Sequence, residues 1–229
     1  MSLATIYQIY FDDSQLPMLE KEYIPYKNEN CTVFFENAVM AELVDKKIVE
    51  AGEYFGVVSY KLRGKIGLLK KWKSLPNIAN HSVSEFTPEL FESELQKHKP
   101  DVMSFQRHIG HDTVSFADKF HPNFSKYFSE ITQRIGYNWQ PTYFKNVFYC
   151  NYFVAKSFWY EKFIDEMLVP AMNVMKNMPE LHGNSGYPHK LPEHLQKKFG
   201  YEHYPYHPFL CERMFSYFAH IHNLNCLHF

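Results

Sequence analysis

Residues 146–176 run NVFYCNYFVAKSFWYEKFIDEMLVPAMNVMK, and their pattern changes once, near Ser157. Before that point Val147, Phe148, Tyr149, Tyr152, Phe153 and Val154 form a β-branched and aromatic run interrupted by Cys150 and Asn151, the composition of a strand buried on both faces. Beyond it Tyr160, Phe163, Ile164, Met167, Leu168, Ala171, Met172 and Met175 recur every three or four residues, which makes one helix face apolar over about four turns. Ser157 is placed to cap that helix, with Glu161 in its first turn. The periodicity continues past Pro170, so the proline is expected to kink the helix rather than end it. A core strand handing over directly to a core helix predicts the middle of an α/β sheet.

Upstream, the same alternation of strand and helix signals recurs. Ile6–Phe11 predicts a first strand ending at the turn signal Asp12-Asp13-Ser14. Val39, Met40, Leu43, Val44 and Ile48 predict a helix over 35–51, stopped by Gly52. Tyr54–Tyr60 predicts a second strand opening into a cationic loop, 61–67. Thr87-Pro88-Glu89 supplies a capping hydroxyl, a proline at the first helical position and an acid in the first turn, so a helix should run to about His98. A strand at 101–106 follows, then a polar loop, then a helix opened by Pro122 and stopped by Gly136.

Downstream, 177–206 carries four prolines, three glycines and four histidines and predicts a long irregular segment with a short helix at Glu193–Lys198. Such a segment suits the acceptor side of a binding site. His207-Pro208 opens a last helix, and Cys226–Phe229 predicts an edge strand. The expected architecture is one α/β domain over 1–229, Rossmann-like, with a mainly parallel sheet covered by helices on both faces.

Charge narrows the function classes. The 24 Lys and Arg nearly balance the 25 Asp and Glu, so no general field favours nucleic acid, and any anion must be held locally. Four scattered cysteines without paired spacing suit reduced thiols in a cytoplasmic protein. No signal peptide and no run of about 18 apolar residues argues for secretion or membrane spanning. Tyrosine is abundant, 17 of 229, and tyrosines line sites for sugars and bases because the ring stacks while the hydroxyl hydrogen-bonds.

The fingerprints of hydride transfer, P-loop hydrolysis and the hydrolase nucleophile elbow are absent from the sequence. Three segments, in order, resemble bacterial capsular-polysaccharide glycosyltransferases of a domain family whose function is largely unassigned. Tyr54–Arg63 resembles that family's Tyr-Ile-Gly-Leu-x-His-Tyr-Arg-Arg strand, with Ser59 in place of the His and Leu62 in place of an Arg. Asn146-Val147-Phe148 with Lys156, Phe158 and Tyr160 is similar to its Asn-Met-Phe-Ile-Met-Lys-Lys segment, and Phe209–Phe215 to its Phe-x-x-Glu-Arg-Leu helix start. The resemblance implies a GT-A-like transferase that moves a sugar from a nucleotide-diphosphate donor to a glycan or lipid-linked acceptor in bacterial surface polysaccharide synthesis, without a transmembrane segment but compatible with peripheral membrane association.

Such a transferase must stabilise a diphosphate leaving group, with Mn²⁺ or Mg²⁺ on an Asp-x-Asp pair or with fixed cations. No Asp-x-Asp occurs here, so the expected phosphate group is Tyr60, Lys61, Arg63 and Lys65 beside Gly64 and Gly67, with Arg213 in support. A solvated basic loop would look the same. Asp12 and Asp13 are either donor-site ligands or turn caps. Glu212 is the expected catalytic base, though an acid there would also complement the helix dipole; His207 is its reserve, followed by His203. Arg213, about 100° further round the helix, is expected not to pair with Glu212. His108, His111 and Asp112 form an alternative metal site, which would suit a metal-dependent hydrolase. A carbohydrate- or nucleotide-binding protein without turnover, on the same fold, is the other reading.

Overall fold

The computed structural model describes residues 3–51, 53–68, 86–106 and 110–229. The expectations for Gly52 and His108 fall outside those residues.

Among the described residues six strands form one sheet: β1 (Ala4–Tyr10), β2 (Ile24–Lys27), β3 (Tyr54–Ser59), β4 (Val102–Ser104), β5 (Phe153–Lys156) and β6 (Cys226–His228), in the order β2-β1-β3-β5-β4-β6. β1 pairs parallel with β2 and β3, and β4 pairs parallel with β6. β5 runs antiparallel to both of its neighbours. The sheet is therefore mainly parallel, and the strand of the opening stretch is its one reversed member. The helices are α1 (Glu36–Asp45), α2 (Leu62–Leu68), α3 (Pro88–His98), α4 (Thr113–Ala117), α5 (Phe124–Arg134), α6 (Ser157–Phe163), α7 (Val169–Met175), α8 (Glu193–Phe199) and α9 (His207–Ile221).

Both faces of the sheet are covered, as the near-continuous apolar strands require. Ile9, Phe55, Val57, Phe153 and Ala155 face one core with Leu43 of α1, Ile131 of α5, Phe163 of α6 and Phe215 of α9. Ile6, Tyr54, Val58, Met103 and Val154 face the other with Leu62 of α2 and Phe91 and Leu95 of α3. Phe215 stacks on Phe153 at a centroid distance of 3.6 Å, so α9 is seated directly on β5.

The opening stretch needs one correction and keeps its main feature. Residues 146–152 are not strand: Cys150 (φ 58°) and Asn151 (φ 56°) are left-handed, which breaks extension. Only Phe153–Lys156 pairs. It runs into α6 without a loop, and Ser157 is the first helical residue, its N–H donating to the Glu53 carbonyl; Lys156 occupies the cap position. Between α6 and α7 the helix widens into a π turn at Ile164–Leu168, just before Pro170. A wider turn relieves the contact between a proline ring and the preceding turn, so the helix passes through as expected.

Two further boundaries move. The strand expected at 101–106 is Val102–Ser104, and the loop expected at 61–67 is helix α2. β2 and the 3₁₀ turn at Asp13–Met18 carry no strong period in sequence.

Candidate functional site

The carboxyl ends of β1, β2, β3, β4 and β6 lie on one edge of the sheet. The chain leaves β1 towards β2 on one side, and leaves β3 towards β4 on the other. Connections that diverge in this way leave a crevice beyond the strand ends. Phe11 and Tyr60 meet there edge to face at 6.3 Å.

Of the expected phosphate group, the Lys65 side chain lies outside the described residues and Arg63 is engaged by an acid. Arg63 Nε donates to Glu20 Oε1 at 2.5 Å and Nη2 to Glu20 Oε2 at 2.6 Å, a bidentate pair with a buried carboxylate. The Glu20 N–H in turn donates to buried Gln8 Oε1 at 2.7 Å, so this pair ties the loop after β1 to the sheet. Lys61 is exposed, with Nζ 5.4 Å from the Tyr60 ring centroid. Asp12 caps the 3₁₀ turn through the Ser14 N–H, and hydrogen bonds from Ser14 hold its carboxyl below the usual range. Asp13 pairs with Lys27 at 2.8 Å. Both acids therefore have local structural partners.

A different group gathers where α9 meets the residues before β5. The Arg213 guanidinium carbon lies 4.4 Å from the Tyr149 ring centroid and 5.8 Å from that of Phe124. Arg213 is buried and its Nε has no hydrogen-bond partner. Its Nη1 donates to Glu212 Oε2 at 3.0 Å, contrary to the expectation from helix geometry; the flexible side chain folds back over its neighbour. The Tyr149 hydroxyl accepts from Thr113 Oγ1 and meets His111 Nε2, each at 2.8 Å. His121 stacks on Phe209 at 4.4 Å and donates from Nδ1 to the Ser185 carbonyl; burial first, then Arg213, holds its pKa below the ordinary value.

Tyr152 links this cluster to the crevice. Its hydroxyl lies 2.6 Å from Ser59 Oγ at the end of β3. Burial raises its pKa, and the nearby carboxylates of Glu36 and Glu212 act in the same direction. Asn151 Nδ2 donates to Asn37 Oδ1 at 3.0 Å, which fixes the left-handed pair against α1. Phe35, at the start of that helix, stacks on Tyr204 at 5.6 Å. Two acids, one buried cation and several aromatic rings thus border the carboxyl edge.

His207 is corrected. It has no exposure, it packs between Phe34 (5.1 Å) and His182 (4.6 Å), and neither ring nitrogen makes a hydrogen bond of standard geometry. Burial, followed by His182, lowers its pKa to about 4. It is a core residue, unable to exchange a proton with an acceptor. His203 sits half-buried on the segment before α9, 3.7 Å from Glu202. Asp112 caps α4, accepting from the Val114 and Ser115 N–H groups and the Ser115 hydroxyl, so its lone pairs are largely used. Among the described residues no three His, Cys, Asp or Glu side chains converge to hold a metal ion.

The sequence singled out Glu212 and Arg213 but missed Tyr149, Tyr152, Thr113 and Glu36. The signal available for the tyrosines was the Cys150-Asn151 interruption of the strand pattern. No family model, no curated protein and no solved structure matches this chain. Among the described residues no helix is long and apolar enough to cross a membrane.

Proposed function

We propose that the chain is a nucleotide-sugar-dependent glycosyltransferase whose centre is the Glu212–Arg213 pair at the carboxyl edge of the sheet. The supporting observation is a carboxylate paired with a buried, ring-stacked guanidinium, beside tyrosines and beyond the ends of parallel strands. Inverting transfer needs a group that takes the acceptor hydroxyl's proton and a cation that stabilises the departing diphosphate. In the chain without donor, Arg213 Nη1 occupies Glu212 Oε2. A donor diphosphate competes for Arg213, and its binding releases Glu212 to accept the proton. Chemistry then depends on the donor being in place. Tyr60, half-buried at the end of β3, supplies a ring and a hydroxyl for the nucleoside or sugar. The acceptor in this reading is a glycan or a lipid-linked glycan, met from the side of the 177–206 segment in the cytoplasm.

The commitment of Arg63 to Glu20 favours a second reading, a nucleotide- or carbohydrate-binding protein without turnover, because it removes one leaving-group cation. A thermal-shift panel of nucleoside diphosphate sugars, with and without Mn²⁺, tests binding in both readings, since a ligand held only by the native state raises Tm. At least one nucleoside diphosphate sugar should raise Tm in the wild type and do so less in Arg213→Gln. No shift from any of them would remove both readings.

A further inference from the structure

We propose a second ligand site, for a monosaccharide-sized, hydroxyl-rich monoanion such as a hexuronate, in the pocket between the C-terminal end of α9 and edge strand β6. The cavity has a volume of about 310 Å³ and is lined by Lys145, Asn146, His220, Asn223, Asn225 and Cys226, closed by Ala219 and Leu224. That volume is at the lower end of small-molecule sites, roughly 300–1,000 Å³.

Three amides and one ammonium supply the chemistry. The Asn223 and Asn225 side chains and the Lys145 ammonium make no hydrogen bond or ion pair with another described residue. Their backbones are nevertheless fixed. Asn223 is left-handed (φ 48°), with its N–H on the His220 carbonyl and the Leu224 N–H on the Ala219 carbonyl, a turn that ends the helix and satisfies its last carbonyls. Asn225 donates its N–H to Asp101 Oδ2, and its carbonyl accepts from the Asp101 and Val102 N–H groups. Asn146 is held by His228, whose Nε2 lies 3.2 Å from Oδ1. The backbones of Asn223 and Asn225 are thus fixed while their exposed amides stay unused, and Asn146 shares its Oδ1 with His228.

An amide both donates and accepts, which matches a hydroxyl, and several amides together match adjacent hydroxyls. Lys145 adds one positive charge that no carboxylate in the pocket neutralises, which favours a single anionic group. Burial pushes the Cys226 thiol up to about 12, so it contributes surface rather than a thiolate. His220 lies eight residues beyond Glu212 along α9, roughly 12 Å at 1.5 Å per residue, so this pocket is separate from the pair on which the transferase reading rests.

The test is nuclear magnetic resonance titration of the full chain with glucuronate, glucose and acetate, following the side-chain amide signals of Asn223 and Asn225. Glucuronate should move both signals, binding about tenfold more tightly than glucose, the effect of one charge-assisted contact at an open site. Lys145→Ala should reduce glucuronate to the glucose level. Asn223→Gly removes the amide while keeping a left-handed turn, and should weaken both sugars without lowering Tm. Absence of shifts with glucuronate, equal shifts with acetate, or unchanged glucuronate binding in Lys145→Ala would each overturn the proposal.

Discussion

Arg63 carries a cation at a strand end, a position that suggests phosphate, yet its two bonds to Glu20 make it structural. Sequence shows the charge and not the partner, because Glu20 lies 43 residues away. Arg63→Ala should therefore act on stability: it leaves a buried carboxylate without its cation and should cost roughly 1–2 kcal/mol, discounted because Arg63 itself is largely exposed. Chemical denaturation would measure it, and a variant as stable as the wild type but defective only in diphosphate binding would restore the phosphate role. His207 gives a pH-dependent prediction. Its folded pKa, about 4, lies below the ordinary 6.5, so as pH falls the unfolded chain takes up the proton first. Its contribution is complete above about pH 6.5 and is lost as pH falls to about 4, on the order of 3 kcal/mol in all. His207→Asn should be less stable at pH 7 and should show a flatter stability profile between those values. An unchanged slope in equilibrium unfolding would show that His207 is not the group titrating.

At the scale of elements, the most legible features were those with local causes. Thr87 accepts from the Leu90 N–H as its capping position predicts, and left-handed Gly136 (φ 88°) ends α5 with the Tyr137 N–H on the Thr132 carbonyl. Less legible was the left-handed pair Cys150-Asn151, held by Asn37 across 114 residues of chain. The direction of β5 was equally hidden, since a strand buried on both faces has the same composition whichever way it runs. Gly56 has a specific role in that pairing: a Cβ there would sit 2.6 Å from Val154 Cγ1 and 2.9 Å from the Phe153 carbonyl oxygen. Gly56→Ala should accordingly destabilise the chain by about 1–3 kcal/mol, the usual cost of overpacking. Equal midpoints for the two proteins in urea would mean that β3 and β5 are not this close.

For the whole molecule, the α/β class and the covered sheet followed from periodicity, and the carboxyl-edge crevice followed from strand order. The site was legible only in part. Glu212 and Arg213 stood out by residue type, whereas their mutual pairing and the tyrosines beneath them depend on how α9 crosses the residues before β5, a contact between segments about 60 residues apart. The central claim is that this pair performs sugar transfer, and release of nucleoside diphosphate from a donor identified by thermal shift, compared between wild type and Glu212→Gln, tests it most directly. The substitution keeps the side chain's shape and removes its proton-accepting charge. The account predicts that Glu212→Gln retains the donor-induced rise in Tm while turnover falls by about 10²–10⁴, the contribution of a positioned base. Wild-type turnover in Glu212→Gln, or no turnover in the wild type with any donor that binds, would contradict it.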